Sequence, residues 1–173
     1  MGEDRLSVML RPVLLTIAVA SCAPASPHAQ VPARTACIVA AVPDGDTLRC
    51  RDGRRVRLIG IDAPERGQGE AYAPARDRLR ALAPRDGTVE LELDVSPRDQ
   101  YGRTLAWVWR GDTLVNEQMV REGWAVLYTS APDVRHADRI VAAQAAARRE
   151  GAGLWATGGF DCLPRDFRRG RCR

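Results

Sequence analysis

Residues 44–65 read DGDTLRCRDGRRVRLIGIDAPE, and this stretch combines strand and turn signals with several carboxylates. Its apolar runs predict short strands, and the Asp-Gly pairs at 44–45 and 52–53 predict tight hairpin turns. Two successive hairpins bring the start of the second strand close to the end of the third. Because Asp46 and Asp62 lie at those two points, the sequence predicts that both carboxylates meet at one edge of a sheet.

Carboxylates that folding brings close together repel each other unless a proton or a cation lies between them. A hard divalent ion with oxygen ligands, such as Ca²⁺, is the natural occupant of such a position. Arg57 adds to this signal because it interrupts an otherwise apolar strand. Each residue also has a purely structural interpretation, in which Asp46 and Asp62 close turns and Glu65 is a surface carboxylate.

The rest of the chain predicts an α+β fold, a five-stranded OB-type Greek-key β-barrel with about three helices. Alternating or apolar runs indicate five short strands, and helices follow the third and the fifth of them, which is typical of this barrel. The predicted strands are 36–42, 46–51, 54–61, 88–95 and 103–109, and the predicted helices are 74–82, 114–122 and 133–150.

Three motifs carry a family resemblance: DGDT at 44–47, RLIGIDAPE at 57–65 and DQYGR at 99–103. In this order, and joined by this strand and helix pattern, they resemble the staphylococcal nuclease (thermonuclease) family over about residues 37–155. The resemblance implies the same barrel and a Ca²⁺-dependent endonuclease. Such an enzyme hydrolyses phosphodiester bonds in DNA and RNA with low sequence specificity, leaving 3′-phosphate ends.

The resemblance also assigns a metal centre and a base. Asp46 and Asp62 would bind the ion through their carboxylates, and Ala63 would bind it through its backbone carbonyl. Glu65 would orient or deprotonate the attacking water. Ala63 stands where the family pattern has threonine, a change of little consequence if only the carbonyl is used.

The same resemblance implies that four further residues bind the phosphate and the nucleotide. Arg57 and Arg103 would hold the phosphate from two sides, since guanidinium groups make forked contacts to phosphate. Tyr101 and Tyr128 match tyrosines of the nucleotide pocket. Gln100 and Ser130 depart from the pattern, which has a lysine and a tyrosine there, so substrate preference is expected to differ.

Two other functions remain open from the sequence. The first alternative is a non-catalytic OB-fold module that binds nucleic acid or a protein, and the second is a surface-tethered envelope protein whose barrel is only a scaffold. The presence of all five charged site residues favours the enzyme, and those residues are Asp46, Arg57, Asp62, Glu65 and Arg103.

Composition agrees with an exported protein that meets a polyanion. The 173 residues suffice for one domain plus an export segment, and the net charge of +4 suits nucleic acid. All 26 basic residues are arginine. No Cys or His spacing is typical of a zinc site, and His136, at a polar helix start, is predicted to be solvated. We expect a monomer without a transmembrane helix.

Residues 1–34 are predicted to be a signal peptide and spacer. Residues 35–157 form the predicted nuclease domain, and residues 158–173 form an arginine-rich tail. The apolar run at 12–20 is too short to span a bilayer. Two interpretations stay open: Val-Ala-Ser-Cys22 resembles a lipobox that would leave Cys22 lipid-modified, or cleavage falls between residues 23 and 33. The protein would be periplasmic, secreted or tethered.

The remaining four cysteines form an even set, as expected for disulfides in an exported chain. Cys37 and Cys50 lie on opposite arms of the first predicted hairpin, at similar distances from its turn. We therefore predict a Cys37–Cys50 bond, with Cys162–Cys172 closing the tail.

Overall fold

The structure is a computed structural model that describes residues 33–172, and its centre is a five-stranded barrel. The strands are β1 (Arg34–Asp44), β2 (Thr47–Cys50), β3 (Arg55–Leu58), β4 (Gly60–Asp62), β5 (Thr88–Glu92), β6 (Thr104–Arg110), β7 (Thr113–Leu114) and β8 (Val126–Tyr128). Antiparallel pairing runs in the order β3-β2-β1-β5-β6, and a parallel pairing of β3 with β6 closes the barrel. The predicted OB-type barrel in an α+β fold is confirmed.

Four helices are described, three of them close to the predicted positions. They are α1 (Tyr72–Leu82), α2 (Val115–Arg121), α3 (Ala137–Glu150) and the short α4 (Pro164–Arg168). Helix α1 buries Ala75 and Leu79 on one stripe against the barrel. Helix α3 ends at Gly151, which adopts the left-handed conformation that favours glycine.

The third predicted strand, 54–61, is in fact two strands, separated at Ile59. Gly60 has φ of +78°, and a Cβ there would lie 2.7 Å from the Trp107 ring. The buried Asn116 side chain donates to the carbonyl oxygens of Ile59 (2.8 Å) and Ala106 (3.3 Å). The break turns the chain out of the barrel into β4, which pairs with β8 and ends at Asp62.

The end of β5 and the start of α3 also differ from the prediction. In both cases an aspartate side chain accepts hydrogen bonds from another part of the chain. The strand predicted over 88–95 ends at Glu92, since Asp94 accepts hydrogen bonds from the Trp107 indole (3.0 Å) and the Arg135 backbone (2.9 Å). The helix predicted from residue 133 begins at Ala137, and Asp133 instead accepts a hydrogen bond from the backbone of Ser96 at 2.7 Å.

The prediction that His136 is solvated is wrong. Its Nε2 lies 3.0 Å from an oxygen of the buried Glu92. Its ring is edge-on to Trp107 and Trp109, with centroids 5.1 and 5.5 Å away. The two tryptophans share one face of β6, as predicted, and His136 packs against that face.

Residues 33–172 contain two disulfide bonds, Cys37–Cys50 with Cα atoms 5.4 Å apart and Cys162–Cys172 at 5.7 Å. The first joins β1 to β2 across the hairpin, and the second closes a loop that contains α4.

The predicted signal peptide and the lipidation position Cys22 lie outside the described residues, apart from residues 33 and 34 of the spacer. Across residues 33–172, no helix combines the length and the apolar composition needed to cross a membrane.

Candidate active site

One cleft of about 900 Å³ contains nearly all of the predicted site residues. It lies beside β3 and the turn between β1 and β2. The predicted residues that line it are Asp46, Arg57, Ala63, Glu65, Tyr101, Arg103 and Tyr128. Asp62 is the exception: it is 1% exposed and does not line the cleft.

Asp46 and Asp62 converge on Arg57, although they are far apart in the sequence. Asp46 lies in the turn between β1 and β2, and Arg57 lies on β3 opposite Thr47. Nη2 of Arg57 is 3.1 Å from an oxygen of Asp46 and 3.2 Å from an oxygen of Asp62. The strand break at Ile59 carries Asp62 back to this position, so the two predicted hairpins and the break together build the pair.

The oxygens of Asp46 and the guanidinium of Arg57 are held by further hydrogen bonds. The Thr47 hydroxyl donates to one Asp46 oxygen at 3.0 Å, and the Ala63 backbone N–H donates to the other at 3.2 Å. Arg57 donates from Nη1 to the Leu58 carbonyl at 2.7 Å. These bonds fix the orientation of both groups without a substrate present.

The pKa of Asp62 is shifted by its surroundings. Its burial raises its pKa above the ordinary value, because desolvation disfavours the charged form. Hydrogen bonding from Arg168 and the charge of Arg57 oppose this rise, while the nearby negative charge of Asp46 adds to it. A buried carboxylate in this setting requires positive charge beside it.

Arg168 supplies that charge and was not predicted as a site residue. From the end of α4, its Nη1 lies 2.9 Å from Asp62 Oδ1 and 2.5 Å from Glu65 Oε1, and its Nη2 lies 2.9 Å from Asp62 Oδ2. Hydrogen bonding to Asp62 raises the pKa of Arg168 further above its already high value. The cysteines at 162 and 172 indicate a closed loop in the tail, but no feature of the sequence distinguishes Arg168 from the other arginines there.

Arg103 also lines the cleft and is held by Asp99. Nε of Arg103 is 2.7 Å from Asp99 Oδ2, and the Tyr101 and Arg103 backbone N–H groups donate to Asp99 Oδ1 at 2.9 Å each. Burial alone would raise the pKa of Asp99, but these hydrogen bonds and the charge of Arg103 lower it. Arg103 thus shares the cleft with Arg57 without contacting the Asp46–Asp62 pair.

The two tyrosines lie at the mouth of the cleft. Tyr101 is 65% exposed, and its ring lies under the Arg103 guanidinium, 5.6 Å from the ring centroid. Tyr128 is 41% exposed and lies on β8, which pairs with β4. Both rings can therefore meet a ligand that enters from solvent.

The carboxylates suit a hard divalent ion, although guanidinium groups now separate them. Within residues 33–172, no three His, Cys, Asp or Glu side chains lie close enough to hold one ion together. Asp46 and Asp62 nevertheless both lie close to Nη2 of Arg57, at 3.1 and 3.2 Å, so their oxygens converge on one positive charge. Two carboxylates, a backbone carbonyl and water form a set of oxygen ligands that Ca²⁺ can bind.

Comparison with known proteins finds one matching family and several similar nucleases. The sequence model of the family described as "Staphylococcal nuclease homologue" matches residues 55–157. A thermonuclease of Staphylococcus intermedius is 36% identical over 125 residues, which cover 68% of this chain and 74% of that protein.

Relatives also occur in other bacteria. A protein named "uncharacterized endonuclease" from Haemophilus influenzae is 33% identical over 127 residues, covering 71% of this chain and 67% of its own. Another of the same name from Escherichia coli is 36% identical over 123 residues, covering 68% and 75%. With its barrel, its cleft and these matches, the chain belongs to the staphylococcal nuclease family.

Proposed function

We propose that this protein is a Ca²⁺-dependent nuclease that hydrolyses phosphodiester bonds in DNA and RNA with low sequence specificity. The observation that carries the proposal is the convergence of Asp46 and Asp62 on one positive charge, beside a cleft that Asp46, Glu65 and Arg103 line. The names of the relatives, thermonuclease and endonuclease, support the same reaction class.

Asp46, Asp62 and the backbone carbonyl of Ala63 would hold the ion. Bound Ca²⁺ supplies positive charge to a phosphate oxygen and so favours the more highly charged transition state. Since the protein provides few ligands, water and substrate oxygens would complete the coordination.

Glu65 would accept a proton from the attacking water, which lies between the carboxylate and the phosphorus. Arg57 and Arg103 would donate hydrogen bonds to the phosphate oxygens, which carry the most negative charge in the transition state. Arg57 is already oriented by the Leu58 carbonyl, and Arg103 by Asp99. The bond between phosphorus and the 5′-oxygen would break, the leaving oxygen would take a proton from solvent water, and the other product would end in a 3′-phosphate.

Low sequence specificity follows from the kind of contacts that the cleft offers. Guanidinium groups and a metal ion address phosphates, which are the same in every nucleotide. Tyr101 and Tyr128 present ring faces on which any exposed base can stack. Unpaired or breathing strands are therefore the preferred substrates.

The protein would act outside the cytoplasm as a monomer. Two disulfide bonds in one small domain favour an oxidising compartment. We propose residues 1–34 as leader and spacer and residues 35–157 as the nuclease domain, with freely released and Cys22-anchored forms both open.

The direct test is degradation of plasmid DNA, single-stranded DNA and RNA by the purified chain. With millimolar Ca²⁺ we expect all three to be cleaved, and single strands fastest, whereas excess chelator should stop the reaction. Binding of the same substrates without cleavage, with or without Ca²⁺, would favour the non-catalytic OB-fold module instead.

A further inference from the structure

We propose that Arg168 is an internal cation that competes with the divalent ion for Asp62 and Glu65. In the metal-free protein the tail holds its guanidinium on these carboxylates, and ion binding displaces it. The inference rests on the proposed function, because it assumes that Asp62 belongs to the ion site.

The contacts of Arg168 fall on the carboxylates that the reaction needs. Both oxygens of Asp62 and one oxygen of Glu65 accept hydrogen bonds from its Nη1 and Nη2. Asp62 is 1% exposed and both of its oxygens are bonded to Arg168, so an ion that binds these oxygens competes with the guanidinium. Two cations on the same oxygens would repel each other strongly at such distances.

The segment that carries Arg168 is fixed in place by a disulfide bond and by contacts with the loop that carries Glu65. Cys162–Cys172 closes the loop that contains α4. Gln68 accepts a hydrogen bond from the Glu65 backbone at 2.8 Å and donates to the Cys162 carbonyl at 2.9 Å. The Phe167 ring lies against Gly67, where a Cβ would be 2.8 Å away. The loop that carries Glu65 and the tail that carries Arg168 therefore pack as one unit.

Arg57 and Arg168 both contact Asp62, but they differ in how firmly they are held. The Arg57 side chain is 12% exposed and also bonds the backbone of its own strand. The Arg168 side chain is 39% exposed, so water can solvate its guanidinium once it leaves Asp62. Displacement of Arg168 is thus the less costly of the two changes.

Calorimetric titration of the full chain with CaCl₂, in the absence of nucleic acid, tests the proposal. We expect Arg168→Gln to bind Ca²⁺ roughly tenfold or more tightly than wild type, because a competing positive charge beside the ligands is removed. Arg169→Gln removes an equal charge from the neighbouring exposed position and should change the affinity less than threefold. Equal or weaker binding by Arg168→Gln, with circular dichroism unchanged, would overturn the proposal.

Amide hydrogen exchange of the wild type provides a test that needs no variant. Adding CaCl₂ should speed exchange in residues 164–171 at least threefold, because α4 loses the hydrogen bonds from Arg168 to Asp62 and Glu65. Unchanged or slower exchange there, with Ca²⁺ bound, contradicts displacement while leaving the nuclease proposal intact. If the wild type and both variants bind no Ca²⁺ and cleave nothing, the proposed function itself fails, and this inference fails with it.

Discussion

At the scale of single residues, Arg57 has the most demanding position in the site. Its guanidinium reaches three acceptors: the Leu58 carbonyl, Asp46 and Asp62. A planar fork can meet three acceptors in fixed directions, whereas an ammonium group is a single point of charge. The role therefore depends on the shape of the side chain as well as on its charge.

We predict that Arg57→Lys lowers kcat/KM for a fluorescent single-stranded oligonucleotide by roughly 10²-fold, the scale of losing one transition-state donor. The measurement is initial rates in Ca²⁺, with the folded state verified by circular dichroism. Arg49→Lys, at an exposed position of β2, is the matched control and should stay within about twofold of wild type. A rate for Arg57→Lys as high as the control's would show that the fork has no catalytic use.

The sequence marked Arg57 but not Arg168, and the reason is physical. A charge inside an apolar strand is unusual in any fold, so Arg57 stands out from local pattern alone. Arg168 is one of several arginines in a polar tail, and its role comes from a contact across 106 residues with Asp62. Such a contact depends on how the tail packs, which no local pattern specifies.

At the scale of elements, the break between β3 and β4 decides where Asp62 lies. Gly60 adopts φ of +78° against the ring of Trp107, and the Asn116 side chain donates a hydrogen bond to the Ile59 carbonyl before it. The hairpins on either side were predictable because Asp-Gly pairs mark tight turns. The break was not, since Ile59-Gly60-Ile61 stays apolar and reads as an uninterrupted strand.

We predict that Gly60→Ala destabilises the protein by about 2–4 kcal/mol, from left-handed strain together with overpacking against Trp107. Urea unfolding monitored by tryptophan fluorescence measures this. Gly53→Ala is the control, because Gly53 also has positive φ but has no other atom within 4 Å of the added Cβ. It should lose only about 1–2 kcal/mol. Equal losses in the two variants would mean that the contact with Trp107 is unimportant.

Asp94 links the end of β5 to the start of α3 through bonds from Trp107 and Arg135. Burial alone would raise its pKa, but hydrogen bonds from the Arg135 backbone and the Trp107 indole, with the charge of Arg135, bring it below its ordinary value of 3.8. A folded-state pKa below the unfolded one means that this carboxylate stabilises the fold above about pH 4. That contribution is lost as the pH falls through the folded-state pKa.

Accordingly, Asp94→Asn should reduce the free energy of unfolding by about 1–2 kcal/mol at pH 7, the scale of hydrogen bonds to a charged group. The difference from wild type should shrink steadily below pH 4, where Asp94 becomes protonated. Urea titrations at pH 7, 5 and 3 measure it. A difference that is the same at all three pH values would show that the charge of Asp94 is not what stabilises this junction.

At the scale of the whole molecule, the barrel closes through the parallel pairing of β3 with β6, and the first disulfide fastens β1 to β2 nearby. The barrel and its helix order were predictable because each strand and helix has a clear local period. The packing of the tail against the site was not, as it depends on the Cys162–Cys172 loop and on Gln68.

We predict that Cys37→Ser/Cys50→Ser lowers the free energy of unfolding by about 3 kcal/mol, the chain-entropy value for a loop of this size. Chemical denaturation of the double variant against the oxidised wild type provides the measurement. An unchanged denaturation midpoint would mean that the hairpin is equally constrained without its covalent bond.

The central claim is that one cleft unites the ion ligands with Glu65 as the base, and single-turnover cleavage of single-stranded DNA in saturating Ca²⁺ tests it most directly. Glu65→Gln should cleave at least about 10²-fold more slowly than wild type. Glu70→Gln, a charge-matched change at an exposed position in the same loop, should cleave at the wild-type rate. Wild-type cleavage by Glu65→Gln would contradict the account.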